Sequence, residues 1–207
     1  MHRRNYTIYR QNHLRTPPFR KNRQVEIRCF SRFTLLAGGA AVNLHSAKAE
    51  ELIAFLVCEQ QSVSKHKVAE TLWPDADDKH AMDSLYKTLR HISKISADGK
   101  RLPVIDNRNS LQIDFTAVLI DTYEFLSLCG SSESDDRERA VGIYKSGLLI
   151  DNNYDWAIDY EADYDIRYYE LLQDLGRHFS RLGDKKKVRY YKAKMELYFD
   201  ETGAGNL

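Results

Sequence analysis

At 207 residues, with 43% hydrophobic and 29% charged side chains and a formal net charge of +1, the chain has the composition of an ordinary globular protein of one large or two small domains. No apolar run is long enough to cross a bilayer, and the N-terminus MHRRNYTIYRQ has basic residues with no apolar segment behind them, so no signal peptide is read and a cytoplasmic protein is expected. Cys29, Cys58 and Cys129 lie far apart with no CxxC and no clustered histidines, which excludes a disulfide framework or zinc site and leaves three reduced thiols.

The near-zero net charge conceals an asymmetry. Residues 1 to 116 hold 19 Lys/Arg against 12 Asp/Glu, and residues 117 to 207 hold 12 against 18. The surplus of the first half sits in residues 1 to 24, where Arg3, Arg4, Arg10, Arg15, Arg20, Lys21 and Arg23 face no acid. That segment contains Pro17-Pro18 and no hydrophobic periodicity, and reads as a flexible basic tail or linker. Residues 25 to 116 are charge-balanced, so any nucleic-acid reading must rest on the placement of charge.

From Val25 the period becomes two. Val25, Ile27 and Cys29 alternate with polar neighbours, Phe33 and Leu35 lead into Gly38-Gly39, and Val42 and Leu44 follow, which predicts a small antiparallel sheet with a glycine turn. Ser46 can cap a first helix whose apolar stripe is Ala49, Leu52, Ile53, Leu56 and Val57. Ser64 can cap a second, SKHKVAETLW, which Pro74 stops.

A third helix is expected over 77–95, with Met82, Leu85, Leu89 and Ile92 facing inward and His80, Ser84, Lys87, His91 and Lys94 outward, with Asp83 beside them. LPVIDNRNSLQIDF then gives two short strands either side of Asn107-Arg108-Asn109, a β-hairpin.

Sheet, three helices and hairpin, with Leu72-Trp73-Pro74-Asp75 closing the second helix, resemble the OmpR-type winged helix, and more closely its version in the SARP family of bacterial transcriptional activators and their response-regulator relatives. Phe33, Gly39, Lys48, Leu52, Phe55-Leu56 and Val63-Ser64 match the same pattern. Past the hairpin, Asp121-Thr-Tyr-Glu-Phe125, ERAVGIYKSGLL and Tyr154-x-Trp156 resemble the bacterial transcriptional activator domain, a tetratricopeptide-like helical module. Tyr160, Tyr164 and Tyr168 continue into Leu171, Leu172, Leu175, Phe179 and Leu182 as one long amphipathic helix, and KKKVRYYKAKMELYF makes another after Gly183-Asp184.

The expected fold class is therefore α+β: tail at 1–24, winged helix at 25–115, all-α helical domain at 117–207. Full activator domains have more helix pairs, whereas this chain ends about where a second pair would be completed. The relatives of this layout also begin with a phosphoacceptor receiver. Nothing in residues 1 to 24 could fold into one, although LRTPPFRKNRQ resembles the linker that follows a receiver, so a receiver-less form of a two-component signalling regulator, natural or truncated, is expected.

The resemblance implies a sequence-specific DNA-binding transcriptional regulator with the third helix in the major groove. Candidate base contacts are His80, Ser84, Lys87 and His91. Candidates for the flanking backbone are Lys48, Lys65, Lys67, Lys94, Arg108 and Asn109. Pro74, Asp75, Asp77 and Asp78 occupy the loop that contacts RNA polymerase in the family.

The expected partners are double-stranded DNA, RNA polymerase and a second copy of the chain through the Tyr/Trp-rich helical region, with no membrane. That aromatic region has a second reading, as core. No glycine-rich phosphate loop, HExxH, GxSxG or EF-hand spacing is present, so no catalytic residue, metal or cofactor is expected. The competing function is a helical-repeat interaction module whose winged helix serves as a docking or RNA-binding platform.

Deleting residues 1 to 24 is expected to lower affinity for all DNA sequences alike and to flatten the salt dependence, because unopposed charges on a tail release counterions at any phosphate. A mobility-shift series in salt reads both quantities. Loss of site preference would instead place the arm in a groove.

Overall fold

The computed structural model describes residues 25–97 and 100–202. The basic segment 1–24 lies outside them. Strands β1 (Val25–Arg28), β2 (Thr34–Ala37) and β3 (Ala40–Ala41) form the leading antiparallel meander. Val25, Ile27 and Cys29 point into the core, while Arg28 pairs with Glu26 at 2.6 Å on the other face. The turn between β2 and β3 is made by Gly38 and Gly39 at φ 57° and 85°, a two-residue hairpin turn that needs positive φ at both positions.

Helices α1 (Ala47–Glu59), α2 (Lys65–Leu72) and α3 (Asp78–Ile92) follow. Ser46 caps α1 by accepting from Ala49 N at 3.2 Å, and Ser64 caps α2 by accepting from Lys67 N at 3.1 Å. β4 (Val63–Ser64), β7 (Val104–Asp106) and β8 (Ser110–Ile113) form a second antiparallel sheet in the order β4-β8-β7, with Asn107-Arg108-Asn109 at the tip of the wing. Two-residue strands β5 (Ser96–Ala97) and β6 (Lys100–Arg101) pair between α3 and the wing.

β9 (Val118–Ile120) adds to the first sheet parallel to β1, giving the order β3-β2-β1-β9 with Ile120 opposite Ile27. It runs directly into α4 (Asp121–Cys129), followed by α5 (Ser134–Ile143), α6 (Ile158–Arg181) and α7 (Lys185–Thr202). α5 ends at Ile143. Beyond it Gly147 has φ 94°, and Leu148 forms a β-bridge to Phe30 at the end of the leading strand. α6 and α7 make a hairpin, with the Asp184 carboxylate accepting from Lys186 N and Lys187 N at 3.1 and 3.0 Å to start the second helix.

α1 departs from the expected stripe. Leu52 through Cys58 are all buried, including Ala54, Phe55 and Cys58 on what the sequence pattern leaves as its polar side. The helical half covers that side. Trp156 stands edge-on to Phe55 at 5.1 Å and donates to Glu51 at 3.1 Å, Tyr160 donates to Glu59 at 3.1 Å, and Gln60 donates to Tyr164 at 3.4 Å. A helix apolar all round is one packed on both sides.

The Tyr/Trp-rich region resolves the same way. Phe30 meets Phe125, Tyr144 and Tyr164 at 5.3, 5.0 and 5.6 Å, and Tyr144 stacks on Tyr168 at 4.1 Å. Tyr144, Tyr164 and Tyr168 are buried, so these rings are core and do not form an open partner surface. Leu182, expected as the last core position of the long helix, is 66% exposed because α6 ends at Arg181 and the chain turns away.

Asp121 joins the two halves. Its carboxylate accepts from Cys29 N at 2.9 and 3.0 Å, from Phe30 N at 3.0 Å and from Thr122 N at 2.8 Å. Burial nevertheless outweighs these bonds and pushes its pKa above the ordinary aspartate value. A raised folded value means that Asp121's contribution is fully present below the unfolded pKa and declines as pH rises through the folded one. Its ionisation therefore does not cause acid unfolding. Asp121→Ala, which orphans the amides of Cys29 and Phe30, is expected to cost about 2–4 kcal/mol of stability in denaturant unfolding.

Candidate nucleic-acid interface

α3 begins at Asp77, whose carboxylate accepts from His80 N at 2.9 Å and meets the His80 ring at 2.7 Å. The His80 amide, then its ring, hold the Asp77 carboxyl below the ordinary aspartate value. A lowered folded value means that this cap is fully present above the unfolded pKa and is lost only as pH falls through the folded one.

The buried residues of α3 are Ala81, Leu85, Thr88, Leu89 and Ile92. Met82 is only partly buried, so the helix is rotated from the expected orientation and its outward line is Asp83, Lys87 and Arg90, followed by Lys94 just past the helix end. Lys79 and Tyr86, the latter 46% exposed, flank this line on one side, with His80 and Ser84 on the other.

His91 is corrected by this rotation. Its Nε2 lies 2.7 Å from the Leu44 carbonyl, to which it donates, so the ring is tied back to the leading sheet. Ser84 is half-buried, and its carbonyl accepts from the Thr88 hydroxyl at 3.0 Å. Arg90, which the sequence reading missed, lies on the outward line. The clue was in the spacing: with Thr88 counted as inward, the apolar stripe turns and Arg90 emerges opposite it.

Three of the expected phosphate contacts are already engaged inside the fold. Lys48 donates to the Leu72 carbonyl at 2.6 Å, pairs with Glu51 at 2.8 Å and lies 5.5 Å from the centre of the Trp73 ring. Lys65, 8% exposed, pairs with Asp106 on the wing at 2.6 Å and sits 5.4 Å from the centre of the Tyr86 ring. Lys67 pairs with Glu59. These three cations fasten helices and wing to one another, Lys48 through the Leu72 carbonyl, Lys65 through Asp106 and Lys67 through Glu59.

The remainder have no such partner. Among the described residues of 25–116, Lys79, Lys87, Arg90, Lys94, Arg101 and Arg108 are exposed with no acid within ion-pair distance, as is Arg32 on the loop after β1. Four of them lie on α3 or just past it, and Arg108 and Asn109 are exposed at the wing tip. The wing is positioned by its strand pairing to β4 and by Lys65 N donating to the Asn109 carbonyl at 3.0 Å. In the loop between α2 and α3, Pro74, Asp75 and Asp78 are exposed, while Asp77 is occupied as the cap. Among the described residues no group of three or more His, Cys, Asp or Glu side chains could hold a metal ion, and no helix is long and apolar enough to cross a membrane.

A small sheet, three helices and a wing, continued by four helices, define a winged helix joined to a helical domain. No protein-family profile matches the chain, and no curated protein matches it. Among solved structures it is similar to Mycobacterium tuberculosis EmbR in complex with a low affinity phosphopeptide, with a TM-score of 0.57 at 10% sequence identity over 87% of this chain and 55% of that one. The chain spans about half the length of that structure. At this identity the likeness establishes the shared fold, winged helix plus helical domain.

Lys65→Ala is expected to destabilise the protein by about 1–3 kcal/mol, since it strips the pairing that holds α2 to the wing. Lys87→Ala, which removes an exposed unpaired cation, is expected to change stability by less than about 0.5 kcal/mol. Thermal unfolding of the two variants checks the division between structural and outward-facing lysines.

Proposed function

We propose that the chain is a sequence-specific DNA-binding transcriptional regulator of the SARP and response-regulator type, with α3 seated in the major groove. The observation that carries this reading is the selective neutralisation of charge. Lys48, Lys65 and Lys67 are paired within the fold, while the exposed line of α3 and the wing tip keep Lys87, Arg90, Lys94 and Arg108 unpaired among the described residues. A solvated helix kept exposed only for solubility has no need of that segregation.

In this reading Lys87 and Arg90 donate to guanine O6 and N7, Asp83 accepts from cytosine N4, and His80 and Ser84 border the base contacts. Lys94, Arg108 and Asn109 hold phosphates. The exposed loop residues Pro74, Asp75 and Asp78 contact RNA polymerase, as the family resemblance implies, and a second copy of the chain completes a two-half-site complex. The protein acts in the cytoplasm and has no catalytic role. The phosphopeptide of the EmbR complex belongs to that protein, and the reading here concerns the portion of fold the two share.

The competing function, a docking or RNA-binding platform, is favoured by the charge balance of residues 25 to 116, which hold 12 basic and 12 acidic side chains. A mobility-shift assay on promoter fragments separates the two. A DNA-binding regulator loses affinity steeply with salt and prefers one fragment. Lys87→Ala and Arg90→Ala are each expected to weaken the preferred site by about 1–3 kcal/mol and to relax sequence preference at one position. Binding insensitive to salt and sequence, or a preference for RNA, would refute the reading.

A further inference from the structure

The outward face of α6 carries an unusual distribution of charge. Its first half presents Asp159, Ala162 and the partly exposed Asp163. Its last turns present Arg177 and Arg181. The spacing is symmetrical about Glu170. Asp159 and Arg181 lie eleven residues to either side, and Asp163 and Arg177 seven. Asp159 and Asp163 are four residues apart, as are Arg177 and Arg181, so each pair lies along one line of the helix. Asp159, Asp163, Arg177 and Arg181 fall on the side facing away from Tyr164, Tyr168, Leu171, Leu172, Leu175 and Phe179, which pack into the core.

We infer that α6 is the contact surface of a homodimer, packed antiparallel against the same helix of a second copy about a two-fold axis at Glu170. This rests on the regulator reading only for what the dimer is used for, and it names the surface on which the second copy sits. An isologous contact requires that whatever one end presents, the other end complements. Reversing the helix about Glu170 brings Asp159 to Arg181 and Asp163 to Arg177 of the partner.

At 1.5 Å per residue the two charged ends are roughly 33 Å apart, so a monomer cannot satisfy them against each other. Arg177 already holds Asp174 within the helix at 2.6 Å, and in the dimer it is shared between that carboxylate and the partner's Asp163. Glu170 is the one like-charged contact, and it lies exposed at the axis, where salt screens it.

The alternative occupant of the basic end is nucleic-acid phosphate, since Lys185, Lys186 and Arg189 continue it onto α7. That reading leaves the acidic end and the matched spacing unexplained, whereas a second copy accounts for both.

Sedimentation velocity of the full chain without DNA, over a concentration series, tests the proposal independently of any DNA binding. The wild type is expected to dimerise, more weakly as salt rises. The R177E/R181E and D159R/D163R variants are each expected to associate at least about tenfold more weakly, since each places like charges in contact. Mixed one to one they are expected to recover the dimer, because every cross-contact is then acid against base. Unchanged melting curves establish that both variants are folded. A wild type that is monomeric throughout, variants that dimerise like the wild type, or a mixture that stays monomeric overturns the proposal. So does an R177E/R181E variant of unchanged mass that loses affinity for all DNA alike, which would make the basic end a phosphate surface.

Discussion

The carboxylate of Asp121 is the contact on which the arrangement of the two halves depends. Parallel pairing of Val118–Ile120 with Val25–Arg28 sets Ile120 opposite Ile27, and the next residue opens a helix at the end of the leading strand. There its oxygens take the amides of Cys29 and Phe30, which a strand end would otherwise leave without partners. The rest of that corner is stitched from the other side. Leu149 N donates to the Cys29 carbonyl and Ser31 N to the Gly147 carbonyl, both at 2.7 Å, and Phe33 N donates to the Asn152 side chain at 2.8 Å. The segment from Cys29 to Phe33 thus belongs to both halves at once.

Two consequences follow from that corner. The helix Ala47–Glu59 lies under the helical half as well as within the winged helix, and the buried side chains form one continuous cluster from Val25 to Tyr191. The helical half therefore shares its core with the helix that carries Asp83, Lys87 and Arg90, since that helix buries Leu85 and Leu89 in the same cluster.

Charge is distributed by the same logic. Lys65 and Lys67 occupy positions where another element brings an acid within ion-pair distance, and Lys48, paired with Glu51 of its own helix, reaches the Leu72 carbonyl; together they hold the helices and wing in place. Lys87, Arg90, Lys94 and Arg108 stand where no described element returns to meet them. Net charge alone does not report where the unpaired cations of such a near-neutral domain stand.

The elements and their order were legible in the sequence wherever the determinant is local. Ser46 and Ser64 cap the helices that follow them, Trp73-Pro74 closes the second, Gly38-Gly39 makes the hairpin turn and Asn107-Arg108-Asn109 the wing tip. Each of these depends on contacts within a few residues, so the residue pattern suffices to place it. Four features depend on partners far away in the chain, and only tertiary structure decided them. The helix from Asp78 to Ile92 is rotated so that Arg90 faces out while His91 is held by Leu44, 47 residues earlier. Lys65 is consumed by Asp106 and the strand beginning at Val118 joins Val25, contacts that no local periodicity encodes. The polar side of the first long helix is buried because Trp156 and Tyr160, about a hundred residues on, supply the matching surface, and a sequence window sees the side chains that need covering but not the ones that cover them.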